Sequence, residues 1–159
     1  MSLQSPVSGD HQLARLLQIG IVLEEVVEAR AAKHAAEAED IDEELRAFLR
    51  EAAAESEGHR ERLESLVEKL EAETIPFDEI QALVEQQYEA DQDFDGVLYD
   101  QLCNEETAYK FYDDLIEAVE ASDASFSVDR AHLLAVLREI REEEAEGVEE
   151  VTKLMEERE

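Results

Sequence analysis

Apolar residues recur along this chain every three or four positions, the spacing that places them on one face of an α-helix. No stretch keeps the two-residue alternation of a half-buried strand, so we predict an all-α fold. A helix of roughly 27 residues, at 1.5 Å per residue, extends about 40 Å, which suits one side of a bundle. The predicted helices run from about Asp10 to Ala38, Glu43 to Glu71, Phe94 to Ala121, and from Ser127 or Asp129 to Glu157.

The lengths of the connections predict how these helices are arranged. Asp40–Asp42 is a short link that ends in an acidic capping residue, and Ser122–Ser125 closes the third helix. Short links make helices one and two, and helices three and four, antiparallel neighbours. The second connection is long, with a turn at Thr74–Phe77 and a shorter helix predicted over Asp78–Tyr88. We therefore expect an antiparallel four-helix bundle with one long crossover between helices two and three.

Composition agrees with one helical domain. The chain has 159 residues, of which 44% are apolar, and only five glycines and two prolines interrupt its helix formers. We predict a single domain over residues 1–159, in which residues 1–9 form a disordered N-terminal segment. The single Cys103 excludes an internal disulfide and a cysteine-rich zinc site.

Charge narrows the possible partners. The chain carries 44 acidic and 14 basic residues, a formal net charge of −30. Such a surface repels nucleic acid and anionic membranes, so neither is an expected partner. The charge favours a protein adapted to a salt-accumulating cell, because the Debye length shrinks to about 3 Å at 1 M salt. No signal peptide and no run of about 18 apolar residues is visible, so a cytoplasmic location is expected.

Four polar residues interrupt the apolar stripes of the predicted helices: Glu24, His59, Glu105 and Glu144. Ionised carboxylates are rarely buried without a partner, so their position is informative. In an antiparallel bundle all four fall near mid-height, where they could meet. The neighbouring Glu25 leaves the register of the first helix open. A solvated face for each glutamate, and a buried histidine without metal, are the alternatives.

Two segments carry a resemblance to a known family. Glu105–Tyr112 resembles the third helix of rubrerythrin-type members of the ferritin-like superfamily, and Leu133–Gly147 resembles the helix that follows it. Glu24–Ala31 and Leu45–His59 repeat this helix-pair pattern earlier in the chain. The resemblance covers about Leu13–Leu154 and implies a ferritin-like bundle. The four-cysteine rubredoxin-like domain of full rubrerythrins is absent.

The family's site holds two iron ions with one glutamate from helices one and three and a Glu-x-x-His pair from helices two and four. By position, the second helix keeps His59 but has Ser56 in place of the glutamate. The fourth helix keeps Glu144 but has Gly147 in place of the histidine. A working di-iron pair is therefore not expected.

The resemblance leaves a metal site of four residues: Glu24, His59, Glu105 and Glu144. One metal position would retain Glu24, His59 and Glu144, which suits a single iron, manganese or zinc ion. The first hypothesis is therefore a ferritin-like metal-binding protein, with oxidoreductase activity toward peroxide or dioxygen left open. The second is a non-catalytic bundle that serves assembly or partner binding without metal. The resemblance also implies a homodimer.

Overall fold

The structure is a computed structural model that describes residues 7–39, 41–73, 78–79, 82 and 96–158. Four long helices lie within these ranges, and no strand does, so the predicted all-α fold is confirmed. The helices are α1 (Asp10–Glu37), α2 (Glu43–Glu68), α3 (Val97–Glu120) and α4 (Arg130–Glu157). The predicted start of the third helix at Phe94, the turn at 74–77 and most of the predicted helix at 78–88 lie outside the described residues.

Acidic caps begin two of the helices. The Asp42 side chain accepts a hydrogen bond from the Leu45 N–H at 2.9 Å, and Asp129 accepts one from the His132 N–H at 3.0 Å. Each carboxylate satisfies an N–H group that has no partner in the first turn of its helix. The acidic cap predicted for the second helix is therefore confirmed. Of the two residues considered for the fourth helix, the structure selects Asp129.

Contacts at the helix ends establish the antiparallel arrangement. Arg46, near the start of α2, donates hydrogen bonds to the Ala35 and Ala38 carbonyls at the end of α1. Arg130, at the start of α4, donates to the Val119 carbonyl near the end of α3 at 2.7 Å. The pairs α1–α2 and α3–α4 are thus antiparallel, as predicted.

The long connection crosses the bundle. Lys69, just after α2, lies 3.2 Å from His132 at the start of α4. Asp100, in the first turn of α3, instead pairs with Arg30 near the end of α1. Because α2 ends and α3 begins at opposite ends of the bundle, the chain between them must run its length. The predicted crossover between helices two and three is confirmed.

A polar layer divides the apolar core into two parts. The larger part includes Leu17, Leu63, Leu115 and Ile140, and the smaller part surrounds Phe48 near the other end of the bundle. Buried polar residues lie between them: Glu24, Ser56, His59, Gln101, Asn104, Glu105 and Glu144. The fold therefore places its buried chemistry at mid-height.

The structure describes residues 7–9 of the N-terminal segment that the sequence predicts to be disordered. Val7 is buried in the larger core, and its N–H donates to the Ala118 carbonyl at 3.4 Å. The Ser122 hydroxyl donates to the Val7 carbonyl. An apolar side chain with both backbone groups bonded holds this residue against α3, and residues 1–6 lie outside the described part. None of the described helices is long and apolar enough to cross a membrane.

Candidate metal centre

Three helices bring one ligand residue each to the centre of the bundle. Glu24 comes from α1, His59 from α2 and Glu144 from α4, with exposed fractions of 0%, 2% and 3%. His59 Nδ1 lies 3.0 Å from Glu24 Oε2 and 3.0 Å from Glu144 Oε1. One ligand atom from each residue lies within 4.8 Å of the other two, a grouping compatible with a metal ion. Glu24 is fully buried and Glu25 only partly, which settles the register of α1.

The other nitrogen of His59 faces a more exposed pair of carboxylates. His59 Nε2 lies 3.3 Å from Glu143 Oε1 and 3.7 Å from Glu55 Oε1. Glu143 in turn accepts a hydrogen bond from Arg62 at 3.0 Å. The imidazole ring therefore spans from the buried carboxylates to the edge of the bundle.

Glu105 is buried beside this group but does not belong to it. No oxygen of Glu105 joins the three ligand atoms within 4.8 Å, although its carboxyl group interacts with that of Glu144. Gln101, one turn earlier on α3, donates a hydrogen bond to Glu105 Oε1 at 2.8 Å. The Glu105 carboxyl group also lies against Gly147 of α4, where a β-carbon would be 2.5 Å from Oε2. The structure thus brings the four predicted residues into one layer, with Glu105 in contact with Glu144 but outside the group of three.

Three buried oxygen atoms in this layer have no hydrogen-bond partner among the described residues. They are Glu24 Oε1, the Tyr112 hydroxyl oxygen and Gln101 Oε1. Tyr112 is fully buried, and its pKa is raised well above the ordinary value by burial and by the negative charge of Glu24 and Glu144. A buried carboxylate oxygen without a partner is costly, so this atom is available to a cation.

Burial and mutual repulsion raise the pKa of the carboxyl groups. Desolvation raises the pKa of Glu105 to about 9 and that of Glu144 to about 7, and it raises the pKa of Glu24. For His59, burial by itself lowers the pKa, but the hydrogen bonds to Glu144 and Glu24 and their negative charge raise it to about 11. Protons therefore offset the carboxylate charge at neutral pH when no metal is bound.

The two positions that depart from the family pattern have different surroundings. Ser56 is buried at an exposed fraction of 5% on the same face of α2 as His59. Gly147 leaves a space on α4 that the carboxyl group of Glu105 fills. The donors therefore fit one ion beside His59, whereas the Gly147 side supplies no nitrogen ligand for a second ion.

The sequence reasoning missed a second buried polar group. Asp100 is 3% exposed and pairs with Arg30 and His34, each at 2.8 Å. His34 is half-buried, because its contact with Asp100 draws it toward the boundary between α1 and α3. Gln101 was also missed, although its position four residues before Glu105 was a usable signal.

Comparisons of this chain with protein families, with curated proteins and with solved structures found no significant match.

Proposed function

We propose that this protein is a ferritin-like four-helix bundle in which Glu24, His59 and Glu144 bind a single divalent metal ion. The observation that carries the proposal is the grouping of three buried ligand atoms within 4.8 Å, next to an unpartnered carboxylate oxygen of Glu24. The four-helix architecture with its crossover is compatible with the proposed ferritin-like bundle. The resemblance of the α3 and α4 sequences to rubrerythrin-type helices supports it.

Electrostatics favours a cation at this point. Glu24, Glu105 and Glu144 share one buried layer with a single imidazole. Buried carboxylates destabilise a fold unless opposite charge or protons compensate them. A divalent ion would replace the protons that the metal-free layer holds, so we expect metal binding to release protons.

The ligand set limits the kind of ion. One imidazole nitrogen and two carboxylates suit Zn(II), Fe(II) or Mn(II), and they leave room for solvent or a small substrate as a further ligand. A bound redox-active ion would supply oxidation–reduction chemistry, while the protein residues hold it in a layer closed by apolar side chains. With Fe(II) or Mn(II) bound, activity toward peroxide or dioxygen is the reaction class that the resemblance implies; with Zn(II) bound, no redox activity is expected.

The proposal is tested by loading purified protein with Fe(II), Mn(II) or Zn(II) and measuring the metal retained after desalting. We expect about one equivalent of at least one ion. Glu24→Gln and Glu144→Gln should each reduce retention at least tenfold, since an amide is a poorer ligand than a carboxylate. Glu25→Gln and Glu142→Gln are the matched controls, because these neighbours lie outside the group. Retention below about one tenth of an equivalent for every ion would refute the proposal.

One observation favours a second candidate function, a bundle without metal that serves assembly or partner binding. His59 already makes hydrogen bonds to both Glu24 and Glu144, so a protonated imidazole can act as the internal counter-ion. This alternative predicts the same unfolding midpoint with and without a metal chelator. The homodimer implied by the resemblance would be tested by light scattering coupled to size-exclusion chromatography, for either function.

A further inference from the structure

Gly147 lies in the interior of α4, where glycine is an unfavourable residue. Glycine in a helix destabilises by about 1 kcal/mol relative to alanine. The backbone of Gly147 does not require glycine, because Gly96 alone among the described glycines has a φ between +20° and +160°. The surroundings of Gly147 explain the glycine. A β-carbon at this position would lie 2.5 Å from Oε2, 2.7 Å from Cδ and 3.1 Å from Oε1 of Glu105. The glycine therefore makes room for the Glu105 carboxyl group.

Gln101 holds that carboxyl group in place from the other side. Its amide donates to Glu105 Oε1 at 2.8 Å, and the whole Gln101 side chain is buried. Glu105 is thus fixed between an amide on its own helix and the backbone of α4. In this position none of its oxygens joins the ligand atoms of Glu24, His59 and Glu144.

We propose that Gly147 determines the metal specificity of this centre, by keeping Glu105 beside the α4 backbone and out of the ligand set. The inference rests on the proposed metal-binding function. With Glu105 held away, the ion receives one imidazole and two carboxylates. Three protein ligands with one open position is the arrangement that Zn(II) accepts in four-coordinate sites. Mn(II) favours more oxygen ligands in an octahedral arrangement. Holding the Glu105 carboxylate out of the ligand set therefore selects against Mn(II).

A side chain at position 147 would displace the Glu105 carboxyl group from its place beside the α4 backbone. The atoms that must move are at the far end of the flexible Glu105 side chain, so Gly147→Ala is expected to fold. The displaced carboxyl group already interacts with Glu144, and α4 would no longer accommodate it. It therefore becomes available to the ion as a third carboxylate ligand.

The test measures dissociation constants for Zn(II) and Mn(II) by competition titration with a chromophoric chelator. Gly147→Ala should strengthen Mn(II) binding relative to Zn(II) at least about fivefold. The same substitution in a Glu105→Ala background should change the ratio less than about twofold, because position 147 acts through Glu105. Gly58→Ala is the matched control, since a β-carbon there meets nothing within 4 Å. Gln101→Leu frees Glu105 without altering α4, and it should shift the ratio in the same direction as Gly147→Ala.

The outcomes separate this inference from the function on which it rests. If the parent protein retains none of Fe(II), Mn(II) and Zn(II), both proposals fail; if it retains only Fe(II), the specificity role alone is overturned. If the parent binds an ion but Gly147→Ala shifts the ratio equally with and without Glu105, only the specificity role is overturned. A ratio that stays unchanged in both Gly147→Ala and Gln101→Leu also overturns it.

Discussion

The two helix pairs of this bundle each carry a small residue, Ser56 or Gly147, in their second helix near the polar layer, with opposite structural results. In the α1–α2 pair, Ser56 leaves His59 with its Nδ1 between two buried carboxylates. In the α3–α4 pair, Gly147 leaves a space that Glu105 fills, held there by Gln101. The first arrangement leaves a group of ligand atoms intact, whereas the second removes a carboxylate from it.

The geometry of the side chains explains the difference. An imidazole is rigid and presents nitrogens on opposite sides of the ring, so His59 reaches the buried carboxylates and the exposed ones together. A glutamate side chain is flexible and follows whatever space and hydrogen-bond donor its surroundings provide. The grouped ligand atoms therefore belong to Glu24, His59 and Glu144, whereas Glu105 lies outside the group.

Removing the imidazole should have the largest effect. His59→Leu leaves Glu24 and Glu144 buried without their shared partner, and loss of one member of a buried pair destabilises by about 3–5 kcal/mol. We expect a loss of this size in the free energy of unfolding of the metal-free protein at pH 8. The loss should be much smaller at pH 5, because Glu144 has a pKa of about 7 and is protonated there, and burial raises the pKa of Glu24 as well. Urea denaturation at both pH values measures it.

His132→Leu is the control for this substitution, because His132 is exposed and should change stability little at either pH. Equal losses for His59→Leu at pH 5 and pH 8 would contradict the electrostatic account.

Stability of the metal-free protein should fall as pH rises. The unfolded state releases the protons of Glu144 and Glu105 above about pH 4.5 and that of His59 above about pH 6.5, the ordinary pKa values of these groups. The folded state keeps these protons to higher pH. The free energy of unfolding should therefore decrease from the weakly acid range up to about pH 11, because Glu105 contributes to the decrease until about pH 9 and His59 until about pH 11. One proton corresponds to about 1.4 kcal/mol per pH unit. Glu105→Gln should flatten this slope by up to one proton, and an unchanged slope would show that Glu105 is ionised in the folded state.

Added salt should stabilise the whole bundle, without distinguishing the α1–α2 pair from the α3–α4 pair. The net charge of −30 repels itself, and added salt screens this repulsion. We expect the Tm to rise by at least about 5 °C between low salt and 2 M KCl, the change that about 2 kcal/mol produces in a domain of this size. Differential scanning calorimetry measures it. A flat or falling Tm would remove the case for adaptation to concentrated salt.

The smallest effect separates Gly58 in α2 from Gly147 in α4. Gly58→Ala should stabilise the metal-free protein by about 0.5–1 kcal/mol, because alanine has the higher helix propensity and a β-carbon meets open space. Gly147→Ala should gain less or lose stability, since it displaces Glu105 from Gln101. Chemical denaturation of both variants would show the difference. Equal gains would mean that Glu105 does not depend on the space at Gly147.

The local pattern of the sequence determined the helices and the polar layer. Helix bounds, the cap at Asp42 and the interruption of the stripes by Glu24, His59, Glu105 and Glu144 depend on residues within a few turns of one another. Helical periodicity encodes such information directly. Antiparallel pairing followed from short links, and the crossover followed from the length of the second connection.

Tertiary contacts alone decided the geometry of the site. These contacts buried Glu24 rather than Glu25 and turned His59 Nδ1 toward the buried carboxylates. They also placed the Glu105 carboxyl group against Gly147. They also buried Asp100 with Arg30 and His34, which no helical pattern marks. The physical reason is that the direction of a flexible polar side chain depends on donors and space supplied by other helices. Those neighbours are distant in sequence and are specified only when the bundle has packed.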